Sequence, residues 1–218
     1  NQASLREAFL SSADLSNAEL QSADLVGVDL TDALLINSNL THAALTGAIL
    51  SGADLSDARL TRADLADANL SGANLIDARL TATDLRRTDL RLTDLSNSDL
   101  TGSDLIEAHL TGANLSGANL TSVDLTGAIL INATLTNAEL EEKNLGQTYL
   151  CHTRMPNGQE SGCDLVGVNL SHITLVETNL RGADLRGANL TEADLSKADL
   201  TGSDLTKADL TEANLRGA

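Results

Sequence analysis

Leucine occupies every fifth residue from Leu5 to Leu215, and only Met155 and Glu160 interrupt the series. The stretch from Ser51 to Leu80 shows the unit plainly: SGADL SDARL TRADL ADANL SGANL IDARL. A period of five fits neither standard element. On an α-helix five residues advance by about 500°, so successive leucines stand about 140° apart and form no stripe. On a flat strand an odd period sends them to opposite faces. The remaining solution is a chain that turns once per repeat and returns each Leu to one interior. That is a solenoid. The phase holds from the first repeat (Ala3, Leu5, Ala8, Leu10) to the last, which predicts a single domain over 1–218.

The other positions agree. Two residues before each Leu stands Ala, or a small or compact replacement such as Thr83, Ser98, Val123, Cys163 or Ile173. One large and one small inward side chain per repeat describe a narrow, close-packed interior. Aromatics are almost absent, Phe9 and Tyr149 being the two, so Leu and Ala must supply the buried area. The residue before Leu and the two after it are mostly Asp, Asn, Ser, Thr, Arg, Lys and Gly, an outer face. Gly recurs two places after Leu (Gly52, Gly112), where turns need a permissive backbone.

The repeat A-(D/N)-L-(S/T/R)-X resembles the pentapeptide-repeat proteins over essentially the whole chain. The resemblance implies an all-β fold, a right-handed quadrilateral β-helix with four pentapeptides per coil. The period alone does not give the number of faces. On that basis 218 residues make about 11 coils, a rod roughly 50 Å long at about 4.8 Å between stacked strands. Residues twenty apart then stack. Asp64, Asp84, Asp104 and Asp124 form an acidic column, Arg59 and Arg79 a short basic one, and Arg86, Arg87 and Arg91 a basic patch.

The pattern fails once, from Glu141 to Gly162 (EEKNL GQTYL CHTRM PNGQE SG). Lys143 falls at an inward position, which it tolerates only by snorkelling outward. Pro156-Asn157-Gly158 signals a turn. The simplest repair extrudes a loop near 158–162, within an interruption spanning 151–163, and lets Cys163 resume the interior. Residues beyond the loop then shift by one face, so that His152 and His172 do not stack. The segment also looks like the Met-Pro-Asp-Gly loop of many cyanobacterial members, with Asn157 in place of Asp.

Cys151 and Cys163 are the only cysteines. They are candidates for a disulfide that brackets the loop. The alternative keeps Cys163 as a small core residue and Cys151 as a surface thiol. Paired, they imply a periplasm or thylakoid lumen; free, they imply the cytoplasm. Cys151, His152, Cys163 and His172 carry no familiar metal-ligand spacing, so no metal or cofactor is expected. His42 and His109 read as solvated outward residues. A filled solenoid offers no pocket for a nucleophile and its base, so no catalytic residue is expected and the chain is not read as an enzyme. There is no phosphate-binding Gly loop.

The net charge of −17 argues against direct nucleic-acid binding and against anionic membranes. No run of about 18 apolar residues suggests membrane insertion. The expected role is a non-enzymatic structural or protein-interaction module with an unidentified protein partner. The surfaces expected to serve it are the Asp64–Asp124 column, the Arg86, Arg87 and Arg91 patch, and Pro156 and Asn157. The alternative is an acidic DNA mimic directed at DNA gyrase, as some pentapeptide-repeat proteins are. The chain starts at Asn1 and ends partway through a repeat, which reads as a segment of something longer, monomeric or dimerising end to end.

Overall fold

A computed structural model describes residues 4–218; Ala3 lies outside them. Each five-residue side ends in a tight corner. The N–H of the third residue after Leu returns to the Leu carbonyl, as in Ala53 N–H to Leu50 O at 3.1 Å. The second corner residue takes a positive φ, 69° at Gly52 and 58° at Asp57. A hydrogen-bonded four-residue corner with a left-handed third residue is a type II turn. Asn and Asp visit that region at low cost, which is why Asn37 and Asp57 serve there beside Gly.

Four corners close one circuit. Parallel bridges join each residue before Leu to the one twenty later: Asp24 to Ala44, Ala44 to Asp64, Asp64 to Asp84. The backbone bonds between coils are short, such as Leu45 N–H to Asp64 O at 2.7 Å and Asp64 N–H to Ala43 O at 3.0 Å. Four flat sides of five residues around one interior follow directly. The every-fifth leucines from Leu25 to Leu135 are fully enclosed, with the small residues beside them. Each such Leu contributes roughly 1.5–3 kcal/mol of transfer free energy.

Threonine replaces Ala at 83, 88 and 93, and each of these buried hydroxyls finds a partner, whereas that of buried Ser38 has none. Thr83, Thr88 and Thr93 donate their hydroxyls to the carbonyls of Leu60, Leu65 and Leu70 at 2.8–3.0 Å. The hydroxyl therefore reaches the coil above rather than competing with its own turn.

The winding changes between 140 and 163. Glu142–Leu145 form a short 3-10 helix. Lys143 does not snorkel from an inward slot; the helical turn removes the slot, and its ammonium lies in solvent against Glu141 at 2.6 Å. The ladder returns at Ile129–Tyr149 and Thr134–Arg154. The chain then reverses. Gly158 N–H bonds Met155 O at 2.8 Å, Met155 N–H bonds Gln159 O at 2.7 Å, and Arg154 pairs antiparallel with Glu160. Pro156 and Asn157 sit at the tip of this hairpin. From Asp164–Asp184 a second twenty-residue ladder runs to Asp194–Asn214.

The interior consequently has two apolar clusters. One runs from Leu20 to Ala138, the other from Leu165 to Ala198. The second includes Ile131 and Cys151, with Ile129 and Tyr149 packed against it. These four are outer-face residues of the first winding. They plug the open mouth of the coil that begins at Cys163, so the second winding abuts the flank of the first. His172 stacks on Glu192 at 3.2 Å, whereas His152 faces Glu160 and the Arg181 carbonyl; no bridge joins residues 152 and 172 among those described.

Candidate functional site

The abutment leaves a notch. One wall is a column of second-corner residues, one per coil: Gly72, Leu92, Gly112 and Asn132. The other is Thr174, Val176, Glu177 and Thr178 of the second winding. Together they line a cleft of about 590 Å³. Leu92 is 73% exposed and Val176 41%, apolar side chains presented to solvent from both walls. Gly112 is what lets Leu92 lie flat, since a Cβ at Gly112 would stand 2.8 Å from Leu92 Cδ2.

The floor of the notch is an open β edge. In a continuous winding the N–H and C=O of each residue before Leu bond the coil above. For the coil 163–182 that coil is missing, and side chains replace it on one side only. Asn132 acts as a surrogate peptide: its Nδ2 donates to Asn179 O at 3.0 Å and its Oδ1 accepts from Asn179 N–H at 2.9 Å. His152 Nε2 meets Arg181 O at 2.9 Å. Among the described residues, no hydrogen bond reaches the backbone N–H or C=O of Asp164, Asn169 or Thr174, or the carbonyls of Val166 and Val176. Such edges pair readily with another chain.

The surfaces expected from the sequence are placed differently. Asp64, Asp84, Asp104 and Asp124 do stack, but the column is not bare acid. Arg86 holds Asp84 through both guanidinium and carboxylate and lies 3.7 Å from Asp104. The Arg86 hydrogen bonds keep the Asp84 carboxyl below the usual range. The basic patch is neutralised as well. Arg87 is bidentate to Asp67 at 2.7 Å, and Arg91 is bidentate to Asp89. The pairs follow from spacing: Arg two places after Asp returns to the same side of the rod, and twenty after Asp stacks on it.

Pro156 and Asn157 lie far along the chain from both, on the hairpin, where Asn157 Oδ1 accepts from Gln159 N–H at 2.9 Å. Cys151 is not a surface thiol; it is wholly buried, and its sulfur lies within bonding reach of Cys163, the Cα atoms 3.9 Å apart. The residues of the junction and its cleft that the sequence reading did not single out are Ile131, Asn132, Thr174 and Val176.

His109 is also not solvated. It is half-buried between the Asp89 and Ile129 levels, with Nε2 on Thr111 Oγ1 at 2.8 Å. Burial pushes its imidazole down to about 4, against the pull of Asp89. The unfolded chain takes up this proton near pH 6.5, the folded chain only near 4. Stability contributed by neutral His109 is therefore complete above pH 6.5 and lost progressively as pH falls to 4. Denaturant titrations of wild type and His109→Asn should show this slope in the wild type and its loss in the variant.

A sequence profile described as pentapeptide repeats matches residues 1–32, 23–62, 53–91, 89–127, 163–202 and 184–218. The stretch between, 128–162, is the one where the winding changes. The crystal structure of HetL, a pentapeptide repeat protein involved in heterocyst differentiation regulation from the cyanobacterium Nostoc sp. strain PCC 7120, is similar at 32% identity and a TM-score of 0.51, over 98% of this chain and 87% of HetL. Full-length QnrB1, a plasmid-mediated fluoroquinolone resistance protein, is similar at 17% identity and a TM-score of 0.45, over 85% of each chain. No curated protein matches the sequence.

Proposed function

The chain belongs to the pentapeptide-repeat family, whose right-handed quadrilateral β-helix it shares, and from that premise we propose that it is a non-enzymatic scaffold that binds an extended segment of a partner protein in the notch between its two windings. We read the whole as about 11 coils with residues near 158–162 extruded, a count supported by the twenty-residue ladder. One observation carries the functional reading: unpaired backbone groups at Thr174 and Val176 lie beside exposed Leu92 in the same cleft. Strand addition supplies affinity through main-chain bonds and specificity through side-chain pockets. A peptide lying along Thr174–Val176 takes the place of the missing coil, donating to the Thr174 and Val176 carbonyls and accepting from Thr174 N–H. An aliphatic side chain then covers Leu92 and Val176. The acidic exterior favours a partner with basic residues flanking that aliphatic core.

Selection of peptides from a random heptapeptide library on the immobilised protein tests this. The recovered peptides should be extended, centred on an aliphatic residue and flanked by Lys or Arg. Leu92→Asp and Thr174→Pro should each abolish their binding, the second because it removes an edge N–H that the fold does not use. Peptides that bind both variants as well as wild type would refute the reading.

A further inference from the structure

The hairpin does more than end the first winding. Its antiparallel pairing of Arg154 with Glu160, together with Ser161 N–H on Thr153 O at 2.8 Å, folds the chain back so that Cys163 meets Cys151. His152 lies beside them. One ligand atom from each of Cys151, His152 and Cys163 falls within 4.8 Å of the others. Cys151 is wholly buried, and the His152 side chain is 22% exposed.

The hydrogen bonds of His152 single out one nitrogen. Its Nε2 lies 2.9 Å from the Arg181 carbonyl, which only accepts, so Nε2 carries a proton. Its Nδ1 lies 2.5 Å from Glu160 Oε1. An imidazole whose other N–H is held by a backbone carbonyl is the arrangement in which histidine ligates metals.

We propose that, with its thiols reduced, the chain binds one zinc ion through Cys151 Sγ, Cys163 Sγ and His152 Nδ1, with the fourth position left to water and the Glu160 carboxylate beside His152 as an outer partner. Two thiolates, an imidazole and a water suit a tetrahedral, borderline-soft divalent ion. Each thiol releases its proton on ligation. The disulfide and the zinc site exclude each other, because a bonded pair of sulfurs offers no thiolate. Zinc would tie the hairpin to the start of the second winding as the disulfide does, and would hold the junction in a reducing compartment. This inference is independent of the peptide-binding reading; it rests on the hairpin side of the junction.

Cobalt(II) is the spectroscopic probe. The full chain, reduced and freed of metal, is titrated with cobalt and then with zinc. One equivalent should bind, with thiolate-to-cobalt charge transfer and the visible bands of a tetrahedral ion, and one equivalent of zinc should displace it. Cys151→Ser and Cys163→Ser should abolish the charge-transfer signal from the missing thiolate. Glu160→Gln, on the exposed hairpin where folding does not depend on it, should weaken binding at least about tenfold. The oxidised chain should take up no metal. Absence of stoichiometric uptake by the reduced, folded wild type would overturn the proposal, as would a tetrahedral cobalt spectrum unchanged in His152→Asn.

Discussion

Ile131→Asp is expected to detach the second winding from the first, while Ile49→Asp leaves the molecule as it is. Both residues follow the outer surface of the same rod, and both substitutions exchange a β-branched apolar side chain for a carboxylate. Their surroundings differ. Ile49 is 41% exposed; Ile131 is 0% exposed and belongs to the apolar cluster of the second winding. A carboxylate at 131 loses the transfer free energy of the Ile, roughly 2 kcal/mol. It also meets an apolar environment with no cation opposite, which costs on the order of 4 kcal/mol more. Nearest-neighbour coupling in a solenoid confines the damage to the interface it touches. The first winding keeps its own core from Leu20 to Ala138.

The expected result is a split melting curve. The second winding should unfold first, at least about 15 °C below its wild-type position, and trypsin should cut after Arg154. Ile49→Asp should change stability by no more than about 0.5 kcal/mol. Equal behaviour of the two variants would mean that Ile131 plugs nothing.

Much of the fold is legible in the repeat. Leu and the small residue two places earlier define the interior because only a chain that turns every five residues brings them together. The Gly and Asn at the second corner position mark the left-handed residue of the turn. Thr83 and Ser103 were legible as small inward residues, though not the bonds that their hydroxyls make to Leu60 and Leu80. The junction was harder to read. Ile129 and Ile131 break the polar outer face just before the pattern fails and Tyr149 does so within it, and those outward apolar residues were the available signal. The repeat alone could not say what they cover, because their partner coil begins only after the hairpin. The ion pairing of the Arg86, Arg87 and Arg91 patch was not read from the sequence for a simpler reason. Counting like charges along the chain ignores that Asp84-Leu85-Arg86 and Asp89-Leu90-Arg91 place each pair on one side, where the fold neutralises it.

The cleft depends on one structural fact, that the coil beginning at Cys163 has no coil above it on the side of Thr174. Backbone hydrogen exchange reads this residue by residue. Asp194 N–H is bonded to Ile173 O at 2.8 Å, and Asn179 N–H is held at 2.9 Å by the Asn132 side chain. No hydrogen bond reaches Thr174 N–H among the described residues. Exchange of a bonded amide waits for local opening, whereas an edge amide exchanges from the native state. Thr174 should therefore exchange at least about a hundredfold faster than Asp194, corresponding to about 3 kcal/mol of opening free energy. Asn179 should be protected in the wild type and should join Thr174 in Asn132→Ala. Protection of Thr174 equal to that of Asp194 would contradict the account, since it would place a coil on the edge where the cleft now stands.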